Sequence, residues 1–573
     1  MSERDLHGLA ASPGVAAGEV WLLDARELPD EPHRGHEAEA AAAVGALAAE
    51  AAELGAQAES LRADGLADEA EILVANQLMA LDPLLRDEVA RLTAELTAPA
   101  ALRTAAARHA ELLAALEDPL LAARATDVRE LGRRAARSLA GGVASPPASG
   151  PLVVVASDLG PADVAELRTS KAAVVAIALA HGAATSHAAI VARSLGLPMV
   201  VALGDDLLAP AARAVVDADD GVVYLEPSLG RRRWAVAEME RLADRRRSLA
   251  RSRALPPVTH DGQWVTLLCN ASTTVEIDAG LAAEADGVGL LRTELAFLEA
   301  TAWPTEAEHE RALAPLLALV PGRVATVRVL DFGEDKTPPF LAGTTERGLA
   351  LLLDRPDHLA AQLRALLRAA GDAELRVLLP LVESAHQMRS VRALLRTAAA
   401  DAGWSRPLPP LGAMIETPEA ARRAREIALE SDFLSLGTND LVQYTLGYDR
   451  TEPLATAASA AEPRVLALIA ATAEAAHATG VTVEICGESA SLPELAALYV
   501  GLGVDELSVA PARIDEVRAT VRALRADLAA AAATRALAAE SQDAALAIAR
   551  RLLSGELGNE QHEVLGGRGG VLA

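Results

Sequence analysis

Several short apolar runs in the second half of the chain end on residues that could do chemistry. GVGLLRTE closes on Arg292, Thr293 and Glu294. TVRVLDFG carries Arg328 and leads to Asp331 and Lys336. LGAMIETP ends at Glu416, and FLSLGTND at Asn439 and Asp440 with Arg450 in the loop beyond. VEICGES ends at Cys486, Gly487 and Glu488. If these ends meet, three arginines and a lysine converge with several carboxylates, a costly set to bury for structure alone. Guanidinium forks suit the oxygens of phosphate or carboxylate. Glu416 and Asp440 could each give one oxygen to Mg²⁺, leaving its other positions for substrate oxygens and water. The chemistry suggested is a small phosphorylated carboxylic acid held by arginines and magnesium. Singly, these residues say less: a strand-end Arg–Asp pair is often a structural ion pair, and a lone Cys486 is more often a small core residue.

His187 stands apart, in GAATSHAAIVARSLGLP. Small residues before it allow close backbone approach, and AAIVARSL reads as a helix. Thr185, Ser186 and His187 would then lie at or near the helix start, where free N–H groups and the positive dipole end favour phosphate. A neutral imidazole there can attack phosphorus. One histidine among 12 is usually structural; the motif around it reverses that expectation.

The elements that must position these residues follow from the patterning. The chain has 573 residues, enough for three or four domains. With 53 Lys+Arg against 80 Asp+Glu, the net charge is −27, which argues against non-specific nucleic-acid binding. Aromatics are only 2%, so the core must be small and aliphatic. Two cysteines, Cys269 and Cys486, form no disulfide framework and no zinc motif. No apolar signal core and no run of about 18 apolar residues appear, so a cytoplasmic protein without membrane insertion is expected. The only lysines are Lys171 and Lys336.

Residues 1–30 and 145–228 read as one α/β domain, with strands in PLVVVAS, AVVAIAL and MVVAL and a hairpin turning at Asp220-Gly221. Residues 31–144, rich in Ala, Leu, Glu and Arg, read as an inserted helical bundle. A basic linker helix is predicted over 229–258. Eight regularly spaced strands with helices between them over 259–535 fit a C-terminal (β/α)8 barrel, whose active site lies at the strand C-terminal ends. Residues 536–573 are expected to be a final helix and a frayed tail.

TSHAAIVARSLGLP, GVGLLRTE, MIETPEA, SLGTNDLVQYTLGYDR and ICGES, in this order, closely resemble enzyme I of the bacterial phosphotransferase system, a PEP-utilising phosphotransferase. GLAASPGVAAGEV and TDVRELGRR match as well. The resemblance implies that His187 takes the phosphoryl group of phosphoenolpyruvate (PEP) and passes it to the phosphocarrier HPr, the first step of sugar uptake. It implies that Arg292, Arg328, Arg450, Asn439 and Arg347 contact PEP, that Glu416 and Asp440 hold Mg²⁺, and that Cys486 protonates the enolate to pyruvate. Lys336 joins the substrate side of the site. A thiol near its ordinary pKa of about 8.5 is protonated at neutral pH and can serve as an acid. The resemblance further implies a swivelling phosphohistidine domain, HPr binding by the bundle, a hinge in the linker, and homodimers through the barrel.

Some positions differ from the family pattern. DFGEDK places Glu334 where a glycine is usual, and AGTTERGLA is short and lacks a second arginine. TEPLATAASAAEP replaces a His-Leu-Tyr-like stretch, His181 stands in a glycine pair, and Asn76 replaces a histidine. Two other readings remain beside the enzyme. One is a regulatory paralogue that binds PEP or a carrier with weak transfer. The other is a PEP synthase or dikinase, which needs an ATP domain for which the chain shows no P-loop-type glycine motif.

Overall fold

The computed structural model describes residues 3–23, 32–63, 67–115, 119–139, 150–169, 172–184, 186–298, 300–333, 337–344, 346–448 and 456–556. Lys336, Arg450, Thr185, Glu334 and the tail beyond 556 lie outside them. The chain divides into two compact units, Met1–Arg246 and Arg247–Ala573.

The first unit is built on an eight-stranded sheet: β1 (Arg4–His7), β2 (Leu9–Ser12), β3 (Val15–Leu22), β4 (Leu152–Ala156), β5 (Val174–Leu179), β6 (Met199–Val201), β7 (Arg213–Asp217) and β8 (Val222–Leu225). Their order is β1-β8-β7-β3-β4-β5-β6-β2. The opening stretch, expected to hold a turn and one strand, supplies three. Gly8 and Gly14 break it into pieces, and β1 and β2 pair with opposite edges of the sheet, at β8 and β6. Five helices interrupt the sheet between β3 and β4, yet those two strands pair in parallel, Glu19 opposite Leu152. β7 and β8 form an antiparallel hairpin. Its turn needs Gly221, whose φ is +68° and whose hydrogen in place of a Cβ admits the Gly8 carbonyl. The helix Leu229–Ser252 follows.

In the second unit eight parallel strands close a barrel. They are β9 (Thr266–Ala271), β10 (Gly287–Arg292), β11 (Val324–Arg328), β12 (Glu374–Leu379), β13 (Leu411–Ile415), β14 (Phe433–Leu436), β15 (Thr482–Ile485) and β16 (Glu506–Val509). All eight strand candidates are found, and the predicted (β/α)8 architecture holds. Period-2 alternation sorts each strand into two faces. Outward residues such as Leu267, Cys269, Val327, Leu434, Val483 and Leu507 pack into the main core. Inward, Leu290, Leu378, Met414, Phe433 and Cys486 form a separate small cluster. The last described helix, Gln542–Leu553, buries Ala545, Leu546 and Ala549 in the main barrel core. It is therefore part of the barrel's packing.

Candidate functional site

The barrel strands end around a cavity of about 360 Å³ lined by Arg292, Arg328, Arg347, Glu416, Asn439, Asp440 and Cys486. These seven, with Asp331, Gly487 and Glu488, are residues singled out from the sequence that share one cavity.

Arg328 closes β11 and is buried. Its Nη2 donates to Glu294 Oε1 at 2.6 Å, and its Nη1 lies 2.9 Å from Asp331 Oδ2. Burial works against its charge, but Glu294 and Asp331 outweigh that and hold its pKa above the ordinary value. Arg347 Nη2 donates to Asp440 Oδ1 at 2.8 Å. Gly333, at φ +147°, makes room for it: a Cβ there would sit 2.7 Å from the Arg347 Cβ. Asn439 Oδ1 accepts from the Glu488 N–H at 3.1 Å, tying the helix start after β14 to the 3-10 turn after β15.

Glu416 is 2% exposed. Its Oε2 accepts from the Leu381 N–H at 2.8 Å. Leu381 adopts φ +49°, a left-handed conformation uncommon for leucine. Burial, then the charges of Asp440 and Asp331, push the Glu416 carboxyl up to about 8. Among the described residues no group of three or more His, Cys, Asp or Glu is placed to hold a metal; the acidic donors facing this cavity are Glu416, Asp440, Asp331 and Glu488.

Cys486 directly follows β15 and is 2% exposed. The Ser435 hydroxyl donates to its Sγ at 3.2 Å, and Asn270 Nδ2 donates to its carbonyl at 3.0 Å. Burial, then the charge of Glu484, pushes the thiol up to about 12. The sequence placed it near 8.5; desolvation inside the barrel makes it a firmer proton holder than that. Cys269 is also raised to about 12 by burial, but it faces outward among the core side chains.

In the first unit His187 is the first residue of the helix His187–Ser194, and the Ser186 side chain caps it by accepting from the Ala189 N–H at 3.3 Å. A second cavity of about 360 Å³ is lined by His187, Ser186, Ala183, Gly182, Asp158 and Asp127. His187 Nδ1 lies 2.9 Å from Asp127 Oδ2. A carboxylate only accepts, so Nδ1 carries the proton and Nε2 presents its lone pair. Arg124 Nη1, on the same helix as Asp127, is 3.4 Å from that oxygen.

Sequence reasoning missed Asp127, Ser435 and the Leu381 N–H. The first lay in a quoted stretch, TDVRELGRR, but its partner is 60 residues away. Ser435 was visible only as a strand residue, and a backbone N–H has no side-chain signature.

Three family models cover most of the chain. Residues 7–124 match the N-terminal region of the PEP-utilising enzymes, 149–221 their mobile domain, and 246–526 their PEP-binding domain. The phosphoenolpyruvate-protein phosphotransferase of Streptomyces coelicolor is 37% identical over 97% of this chain and 100% of its own length. The chain belongs to the phosphoenolpyruvate-protein phosphotransferases. The family's Haemophilus influenzae member is 30% identical, covering 90% of this chain and 93% of that one. The multiphosphoryl transfer protein of Xanthomonas campestris is 37% identical over 90% of this chain. The chain spans only 63% of that longer relative. The resemblance to enzyme I and the phosphotransferase assignment therefore stand, and the synthase and regulatory readings are not favoured. Among the described residues no helix is long and apolar enough to cross a membrane.

Proposed function

We propose that the chain takes the phosphoryl group of PEP onto His187, releases pyruvate, and passes the group to a histidine of an HPr-type phosphocarrier. The observation that carries this reading is the shared cavity of three arginines, four carboxylates and a thiol. Family membership supplies the substrate.

Arg292 and Arg347 face the cavity as anion clamps, while Arg328 is braced by Glu294 and Asp331 in its wall. Phosphoryl transfer asks mainly for positioning and charge neutralisation. Asp440 and Asp331 burden Glu416 with negative charge, which a hard divalent cation held there would relieve. Glu416 and Asp440 would hold Mg²⁺, which supplies charge neutralisation at the phosphoryl oxygens. His187 Nε2, its tautomer fixed by Asp127, is the nucleophile. As the C–O–P linkage breaks, Cys486 gives its proton to C3 of the enolate, and pyruvate results. Lys336 and Arg450 are substrate contacts on this reading, which also gives residues 1–30 and 145–228 the phosphohistidine role, the bundle at 31–144 carrier binding, 229–258 the hinge and the 259–535 barrel dimerisation.

The test is to mix the full chain with ³²P-labelled PEP and Mg²⁺, with and without HPr. Acid-labile, base-stable label is expected on wild type and none on His187→Ala. Equal labelling of His187→Ala would remove the histidine from its role.

A further inference from the structure

Barrel interiors are ordinarily filled by Val, Ile and Leu. Here the layer beneath Cys486 is polar. In register, Ser435 on β14 stands opposite Glu484 on β15, and Glu484 opposite Glu506 on β16. Glu484 is 1% exposed, and among the described residues neither of its oxygens is held in a well-formed hydrogen bond. Gly289 on β10 leaves the space its carboxyl fills: a Cβ there would collide with Glu484 and with Ser508. Glu506 is taken up by Arg376, with Nη1 donating to Oε2 at 2.8 Å. Among the described residues Glu484 thus makes no salt bridge of its own, though the Arg376 charge reaches it. It lies two residues before Cys486, on the same inward face of the strand. Between the two stands Ser435, which donates to the Cys486 sulfur.

We propose that Glu484 is a positioning residue for Cys486, returning through the Ser435 hydroxyl the proton that the thiol gives up in each turnover. The proposal rests on the acid role of Cys486 given above. Protonation of the enolate breaks the S–H bond, forms a C–H bond at C3 and leaves a thiolate. The Ser435 O–H proton passes to sulfur as the Glu484 O–H proton passes to the Ser435 oxygen. The carboxylate left behind faces Arg376 and takes its next proton from water. Burial, then the charge of Glu506, keeps the Glu484 carboxyl well above the usual range, while Arg376 and Ser435 pull the other way. Among the described residues those groups, Cys486 and Ser508, whose hydroxyl donates to Asn270 Oδ1 at 2.7 Å, are the charged, titratable or hydroxyl side chains bearing on it from β12, β14, β15 and β16. β10 contributes only Gly289.

The test uses the full chain with Mg²⁺, labelled PEP and an HPr-type carrier. In Glu484→Gln the first labelling of His187 should stay within about twofold of wild type, while steady-state pyruvate release falls about tenfold. Ser435→Ala should do the same, and the double variant should be no slower than the slower single one. An unchanged steady state in Glu484→Gln, or first and later turnovers slowed equally, would each overturn the relay. Cys486→Ser separates the two ideas. If it forms pyruvate at the wild-type rate, the acid reading itself fails and the relay goes with it. If it stops pyruvate formation while Glu484→Gln does not slow it, only the relay fails.

Discussion

The pocket at His187 and the cavity at the barrel mouth each enclose about 360 Å³, yet they are made from different parts. The barrel cavity draws on the ends of several strands and sets Arg292, Arg328 and Arg347 against buried carboxylates. The His187 pocket is lined mostly by small residues, two aspartates and one helix start, with no arginine or lysine among its described lining residues. A site that must hold a multiply charged anion through a reaction needs fixed cations. A site that carries one phosphoryl group and gives it up is served better by a helix N-terminus and a single oriented imidazole. The difference separates a reaction vessel from a carrier. Substitutions in the barrel should therefore change substrate handling, and substitutions around His187 only the transfer.

The largest expected effect is in the barrel. Cys486→Ser replaces a thiol held near 12 by a much weaker acid, and pyruvate formation should fall by about 10²–10⁴-fold, the span of general acid catalysis. PEP affinity should change little, as measured by PEP-dependent quenching or calorimetry. Cys269→Ser, at the same raised pKa but on the outward face, should leave turnover at the wild-type level. Similar losses for the two would erase the distinction between inward and outward faces. Next comes Arg292→Ala, which should weaken PEP binding by about 10–100-fold, the loss of a charge-assisted contact. The rate at which bound His187~P passes its group to HPr should not move. An unaltered PEP affinity would count against the anion clamp.

The barrel was legible because its signals are local. Each strand is an apolar run, five of them ending in a candidate site residue, and eight such runs at even spacing leave few other folds. The strand ends that share the cavity followed from the single rule that barrel sites form there. What could not be read is what depends on neighbours across strands. WVTLLCNAS and VEICGES each carry a cysteine in an apolar run, and nothing local says that Cys269 turns toward the helices and Cys486 toward the lumen. Register decides it, while burial raises both thiols to about 12. Glu484 reads in sequence as an alternating polar residue of a half-exposed strand. Only closure of the barrel buries it. The N-terminal strands were under-read for the same reason: β1 and β2 are four residues each, too short to signal alone, and exist because β8 and β6 offer them edges.

The smallest effect should come from the carrier side. Asp127 touches no substrate in the proposed scheme; it acts through His187, whose Nδ1 it holds at 2.9 Å. Asp127→Asn keeps the volume and lets the amide present either oxygen or nitrogen to the ring, so the imidazole loses a fixed tautomer. The loss of such an orienting partner costs about 10–100-fold. Here the low end is expected, because the helix start and Ser186 still place the ring. Single-turnover labelling by PEP and discharge to HPr should both slow about tenfold, with the PEP concentration for half-maximal rate unchanged. A rise in that concentration would mean that Asp127 helps to hold PEP, and the division between vessel and carrier would fail at this residue.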